Sequence, residues 1–137
     1  MNSPVTIDAS VFVSAFTPSE PAHPASKTFM TGVRQQAVPI IVPVLVLPEI
    51  SAALSRGQGK PELGMAFVQE LKNFPNTTFV DVDGILADLA VDIAAKHRLR
   101  GSDAVYAAVA LRFGTELVTL DREQLERLPK VLPVRTP

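Results

Sequence analysis

Short β-rich runs alternate with segments of helical period along the whole chain. Val5-Thr6-Ile7 is a strand-like run ending at Asp8, and Ala9 to Phe16 follows as a helix until Thr17-Pro18 stops it. Pro21 to Gln36 repeats Ala25, Phe29 and Val33 at spacings of four, which sets them on one helix face. Ile40 to Val42 reads as a buried strand. Leu45 to Arg56 reads as a helix turning Leu47, Ile50, Ala53 and Leu54 inward, with Gly57 as its stop. After a loop from Gln58 to Pro61, Glu62 to Phe74 gives a further helix with Leu63, Phe67, Val68 and Leu71 on one side, ended by Pro75-Asn76.

The second half repeats this alternation. Thr77 to Val82 has strand propensity, and Ile85 to His97 spaces Leu86, Leu89, Ala90 and Ile93 as a helix does. Gly101-Ser102 offers a turn and an N-cap for an Ala-rich helix from Asp103 to Phe113, closed by Gly114. Glu116 to Leu120 reads as a strand, Asp121 to Leu128 as a short helix, and Val131 to Val134 as a last strand interrupted by Pro133. Alternating strands and helices predict an α/β domain with a mostly parallel sheet, because parallel neighbours need crossovers and helices on the sheet faces provide them. No repeat, low-complexity tract or linker interrupts the pattern, so one domain over residues 1–137 is expected.

In an open parallel sheet the ligand crevice lies beyond the carboxyl ends of the strands, which directs attention to acids at those ends. Asp8 follows the first strand, and Asp121 follows Leu117-Val118-Thr119-Leu120 in the same way. Asp103 lies in the first turn of a helix and Glu49 in or near the first turn of another. A capping role competes with a chemical one for each aspartate, most strongly for Asp103, since Ser102-Asp103 before an apolar helix is an ordinary helix start. Glu49 is flanked by apolar residues, where a charge without a partner is rare. Pro48 before it suits a first turn and would kink a helix already under way from Val44.

Two carboxylates brought within about 4 Å repel by roughly 4 kcal/mol at an effective dielectric near 20, so convergence of these acids calls for a cation. With no cysteine and no paired histidine, His23 and His97 being isolated, the donors are hard oxygens and favour Mg²⁺ or Mn²⁺. The absence of cysteine also removes disulfides, thiolate metal sites and a cysteine nucleophile, and a reducing cytoplasm is the expected location. Met1-Asn2-Ser3-Pro4 lacks the basic and long apolar regions of a secretory signal. The apolar run from Val38 to Leu47 is broken by Pro39 and Pro43, well short of a membrane span. The formal charge is −1, but setting the four acids aside leaves an excess of three positive charges for the remaining surface.

Thr6-Ile7-Asp8-Ala9-Ser10, Pro48-Glu49-Ile50, Ser102-Asp103-Ala104-Val105-Tyr106-Ala107-Ala108 and Val118-Thr119-Leu120-Asp121 together resemble the ordered acidic motifs of PIN domains. The resemblance covers the chain and is greatest to toxins of the VapC type. It implies a PIN-like three-layer fold, a central sheet flanked by helices, and a carboxylate cluster for Mg²⁺ with Mn²⁺ as a substitute. It also implies an endoribonuclease acting through metal-activated water, an antitoxin partner and a homodimer. Carried over by position, Asp8, Glu49, Asp103 and Asp121 are the expected metal ligands, with Ser10 and Thr119 as supporting hydroxyls and Glu123 as a lesser fifth acid. Arg56, Lys60, Arg98 and Arg100 lie near the acid-bearing segments and are candidates for holding the RNA backbone.

Two other functions fit parts of the pattern. Phosphotransfer to a strand-end aspartate would want paired acids near the first strand and a late lysine, but Ala9 follows Asp8 and no lysine follows Glu116 to Leu120. A catalytically silent PIN-like module binding RNA or protein would be marked by a lost site acid, and all four are present. Tyr106 and the seven phenylalanines fall mostly at helical spacing with other apolar residues, and so are assigned to the core rather than to base stacking.

Overall fold

The central strand has no exposed face, which fixes how the rest of the chain must be arranged around it. The computed structural model describes residues 2–137; Met1, the first residue of the amino-terminal segment read above, lies outside them. In chain order the elements are β1 (Val5–Ile7), α1 (Ala9–Phe16), α2 (His23–Gln35), β2 (Ile40–Pro43), α3 (Val46–Gln58) and α4 (Pro61–Lys72). They continue with β3 (Thr77–Val80), α5 (Gly84–His97), α6 (Gly101–Phe113), β4 (Glu116–Val118), α7 (Arg122–Arg127) and β5 (Val134–Arg135). Val5, Thr6 and Ile7 are all buried, so both faces of β1 are covered by helices, as a three-layer α/β fold requires. Thr6 is accommodated because its hydroxyl bonds the Ile41 carbonyl at 2.8 Å and Thr115 Oγ1 at 2.6 Å.

The strands form one sheet in the order β3-β2-β1-β4-β5, and every pairing among the described residues is parallel. The chain builds outward from β1 to β2 and β3, then returns to the other side of β1 to lay down β4 and β5. The order therefore reverses between β1 and β4, where Val5, Thr6 and Ile7 pair with Glu116, Leu117 and Val118. In open parallel sheets such a reversal leaves a crevice at the carboxyl ends of the two strands, because their following helices depart to different sides. Asp8 and Asp121 follow these two strands.

Helix α6 packs against β1, β2 and β4 and is covered by α5. Ala104 and Tyr106 through Ala110 are buried, so its small side chains let it lie close to the sheet. Helices α1 to α4 form a second connected group through α1–α2, α1–α3 and α3–α4 contacts. No helix among the described residues is long and apolar enough to cross a membrane.

Several boundaries differ from the sequence reading for local reasons. Helix α3 runs through Gly57 and closes at Gly59, whose φ of 66° is the left-handed conformation that glycine adopts without strain. Helix α6 begins two residues earlier than expected: Arg100 is the N-cap, Gly101 and Ser102 are already helical, and Asp103 is the third helical residue. In α2 Ala25 is exposed and Ser26 takes the inward position, two turns before the buried Val33. The last strand is Val134–Arg135 instead of Val131 to Val134, since Pro133 has no N–H for the ladder and contributes its carbonyl to Leu117 N–H at 2.9 Å.

Gly64 sets the spacing of α3 and α4. A β-carbon there would stand 2.7 Å from the Ser51 carbonyl oxygen and 2.7 Å from Ser55 Oγ. Gly64→Ala is expected to force the helices apart and lower stability by about 1–3 kcal/mol in chemical denaturation. A gain of about 1 kcal/mol, the ordinary effect of replacing glycine inside a helix, would show that the two helices have room to spare.

Candidate active site

The strand-to-helix junctions place the acids. Asp8 ends β1 and caps α1, accepting the Ser10 N–H at Oδ2 over 3.0 Å. Asp121 caps α7 in the same manner, its Oδ1 accepting the Gln124 N–H at 2.9 Å. The capping reading is thus correct for both, and it is also what orients them, because a capping carboxylate cannot turn away from the strand end. Asp103 makes no such cap; it lies in the first turn of α6 with only 6% of its surface exposed. Glu49 is the fourth residue of α3, and Pro48 before it falls in the first turn, where the helix asks for no N–H from it. The kink anticipated for a helix starting at Val44 therefore does not arise.

All four acids line a single cleft of about 430 Å³ at the carboxyl edge of the sheet, together with Ser10, Glu20, Arg56, Arg100 and Ser102. Burial holds the Asp8 carboxyl above the usual carboxylate range; the charges of Glu49 and Asp121 push the same way and hydrogen bonding to Ser10 partly opposes them. Asp103 is raised by burial and by Asp121, with Arg100 pulling it back. Each buried aspartate thus feels other members of the set, which is the repulsion expected of converging carboxylates.

The surrounding polar groups each hold one of these acids. Tyr106, fully buried on α6, donates its hydroxyl to Glu49 Oε1 at 2.6 Å. Burial and the neighbouring Glu49 charge push the Tyr106 phenol far up, so it stays a protonated donor. Ser10 Oγ accepts the Leu120 N–H at 3.1 Å, tying the start of α1 to the segment that carries Asp121. Thr119 is buried; its hydroxyl accepts the Asp121 N–H at 3.0 Å and donates to Gln124 Oε1, while Gln124 Nε2 reaches the Asp103 carbonyl at 3.3 Å. Arg100 bridges Asp103 and Asp121, 3.0 Å from each.

Some expected members fall elsewhere. Glu123 does not line the cleft and pairs with Arg127 one helical turn on, at 3.3 Å. Of the four basic candidates, Arg56 and Arg100 line the cleft and Lys60 and Arg98 do not. Glu20, Tyr106 and Gln124 were not singled out for the site. Tyr106 has the core position its helical spacing implies, but the hydroxyl that bonds Glu49 could be placed only by knowing that residue 49 faces residue 106.

The oxygen-only donor set and the mutual repulsion fit a hard divalent cation better than any other group. Among the described residues no three acids or histidines are already drawn together as a metal-ligand cluster, so loading would require side-chain movements toward one point.

The PIN domain family model matches residues 5–131, and the chain belongs to that family. Among solved structures of similar fold is VapC20 of Mycobacterium tuberculosis, described as a sarcin-ricin loop cleaving toxin. It shares 17% identity at a TM-score of 0.76, over 94% of this chain and 99% of that one. VapBC2 of Rickettsia felis, bound to a DNA fragment from its promoter, gives 14% identity and 0.73 over 98% of both chains. DNA-bound VapBC of Salmonella typhimurium gives 17% and 0.72, over 99% of this chain and 98% of that one. No curated protein sequence matches the chain.

Tyr106→Phe removes the one hydroxyl on Glu49 and leaves the packing intact. It is expected to cost about 1–3 kcal/mol in thermal or chemical denaturation, as for a hydrogen bond to a charged group. Unchanged stability would show that Glu49 does not depend on that bond.

Proposed function

We propose that the protein is an endoribonuclease that hydrolyses RNA phosphodiester bonds with Mg²⁺, or with Mn²⁺ in its place, and that it is the toxin of a toxin–antitoxin pair. The observation that carries this reading is the meeting of Asp8, Glu49, Asp103 and Asp121, from four separate parts of the chain, in one cleft at the point where the strand order reverses. Membership of the PIN-domain family and similarity of fold to VapC toxins support it.

A divalent cation held by those four carboxylates would supply a Lewis acid that activates water for attack and polarises the scissile phosphate. The chain's own residues prepare for it. Tyr106 fixes one oxygen of Glu49, and the Thr119, Gln124 and Ser10 contacts fix the segment bearing Asp121. Burial of Asp8 and Asp103 keeps their charges poorly hydrated, so a cation gains more from them than from surface acids. Arg56 lines the same cleft on α3 and is the side chain positioned to pair with the RNA backbone. On this reading the protein acts in the cytoplasm on RNA, as a homodimer held in check by a cognate antitoxin, the partner that the VapBC neighbours carry.

Purified protein incubated with a mixed RNA pool is expected to cleave it with Mg²⁺ or Mn²⁺, to stop on addition of a chelator, and to lose the activity in Asp8→Asn by at least a hundredfold, about 2.7 kcal/mol of transition-state stabilisation. Cleavage that persists with chelator, or equal cleavage by Asp8→Asn, would overturn the reading, as would an inert wild-type protein that also binds neither metal in calorimetry.

A further inference from the structure

The cleft already contains a cation of its own. Arg100 donates from Nε to Asp103 Oδ2 and from Nη2 to Asp121 Oδ2, each over 3.0 Å. The other oxygen of Asp121 accepts the Gln124 N–H, so both of its oxygens carry donors. Each oxygen keeps a free lone pair, so a metal ion ligated by Asp121 can leave the helix cap in place, but it meets the positive Arg100 guanidinium beside Oδ2 and is repelled by it. Moving Arg100 away disturbs only a side chain.

Three features make that side chain movable. It is 71% exposed, while the carboxylates it joins are 9% and 19% exposed, so the guanidinium regains water on leaving. Its backbone is held independently of the pairing. Leu99 is buried, Arg98 has a φ of 54° and its carbonyl accepts from Arg127 Nη1, and Arg100 is the N-cap of α6. The guanidinium also lies beside the amino-terminal end of α6, where the helix dipole disfavours positive charge.

We infer that Arg100 is a resident counter-ion that competes with the divalent cation for Asp103 and Asp121 and leaves them when the cation binds. The inference rests on the reading of the carboxylates as metal ligands. It gives the site two states, one in which the arginine partly offsets the charges of Asp103 and Asp121 and one loaded with metal, and it sets the metal affinity by the strength of the arginine bridge. Partial neutralisation by Arg100 lowers the cost of holding Asp103 and Asp121 in one cleft without metal.

Mn²⁺ titrated calorimetrically into the wild type, Arg100→Lys and Arg100→Gln separates the possibilities. Competition predicts about three- to tenfold tighter binding in both variants, since lysine keeps the charge but loses the planar two-point bridge. Tighter binding in Arg100→Gln alone would mean that only the net charge matters, and would overturn the competition. So would equal affinity in all three, or weaker binding in the variants, which would make Arg100 a clamp that serves the metal; in those cases the metal site itself stands. Absence of Mn²⁺ binding from all three proteins would overturn the competition and the metal-site reading together.

Discussion

Like charges brought together at one sheet edge are the constraint to which the rest of the site answers. Burial raises Asp8 and Asp103 most, and other acids of the same cleft add to it, so the folded chain bears an electrostatic cost at neutral pH. The structure offsets that cost in three ways. Helix amino termini receive the charges of Asp8 and Asp121 as caps, Tyr106 donates to Glu49, and Arg100 joins Asp103 to Asp121. Both oxygens of Asp121 accept hydrogen bonds, whereas Asp103 and Glu49 each accept at one oxygen only, which leaves the capacity that the proposed cation would use.

The scaffold explains why this arrangement is held firmly. A five-stranded parallel sheet with both faces covered permits little movement of its central strand, and Asp8 is the residue at which that strand ends. Glu49 is placed by α3, whose distance from α4 depends on the absence of a side chain at Gly64. Asp103 rides on α6, the helix packed against β1, β2 and β4. Asp8, Glu49 and Asp103 are thus attached to different packed elements, while Asp121 lies in the irregular 119–121 segment after β4, which the Ser10 and Thr119 hydroxyls hold in place.

The parts of this site that follow from local chemistry were legible in the sequence. A strand running into a capping aspartate can be read from five residues, and it holds for Asp8; Asp121 also caps a helix, but the strand before it ends at Val118 instead of Leu120. Pro48 was legible as tolerable in a first turn and as a kink in a helix begun at Val44; α3 begins at Val46, so the first of these holds. Asp103 was the hardest to distinguish from a routine helix start; it proved not to be the cap at all, because Arg100 begins the helix and the carboxylate points to Arg100 and the cleft. What stayed hidden depends on distant pairs. Tyr106 and Glu49 are 57 positions apart and Arg100 and Asp121 are 21 apart, and no local pattern signals either meeting. The choice of Gly59 over Gly57 as the end of α3 was hidden for a different reason, since two nearby glycines are equivalent until the helix is packed and only one is asked for a positive φ.

On the proposed reading a divalent cation relieves the crowding of these carboxylates in one cleft. Because Asp8 and Asp103 titrate above their ordinary value of 3.8 when folded, the folded chain holds protons more tightly than the unfolded one. Their contribution to stability therefore falls as pH rises from the ordinary carboxylate range through the raised values. The direct measurement is melting temperature across acid to neutral pH, with and without Mg²⁺. The account predicts that Mg²⁺ raises the melting temperature at pH 7, by the equivalent of about 2.7 kcal/mol at a hundred times its dissociation constant, and that the increment disappears as the pH falls toward 4. A melting temperature at pH 7 that is indifferent to Mg²⁺, or an increment equally large at pH 4, would contradict it.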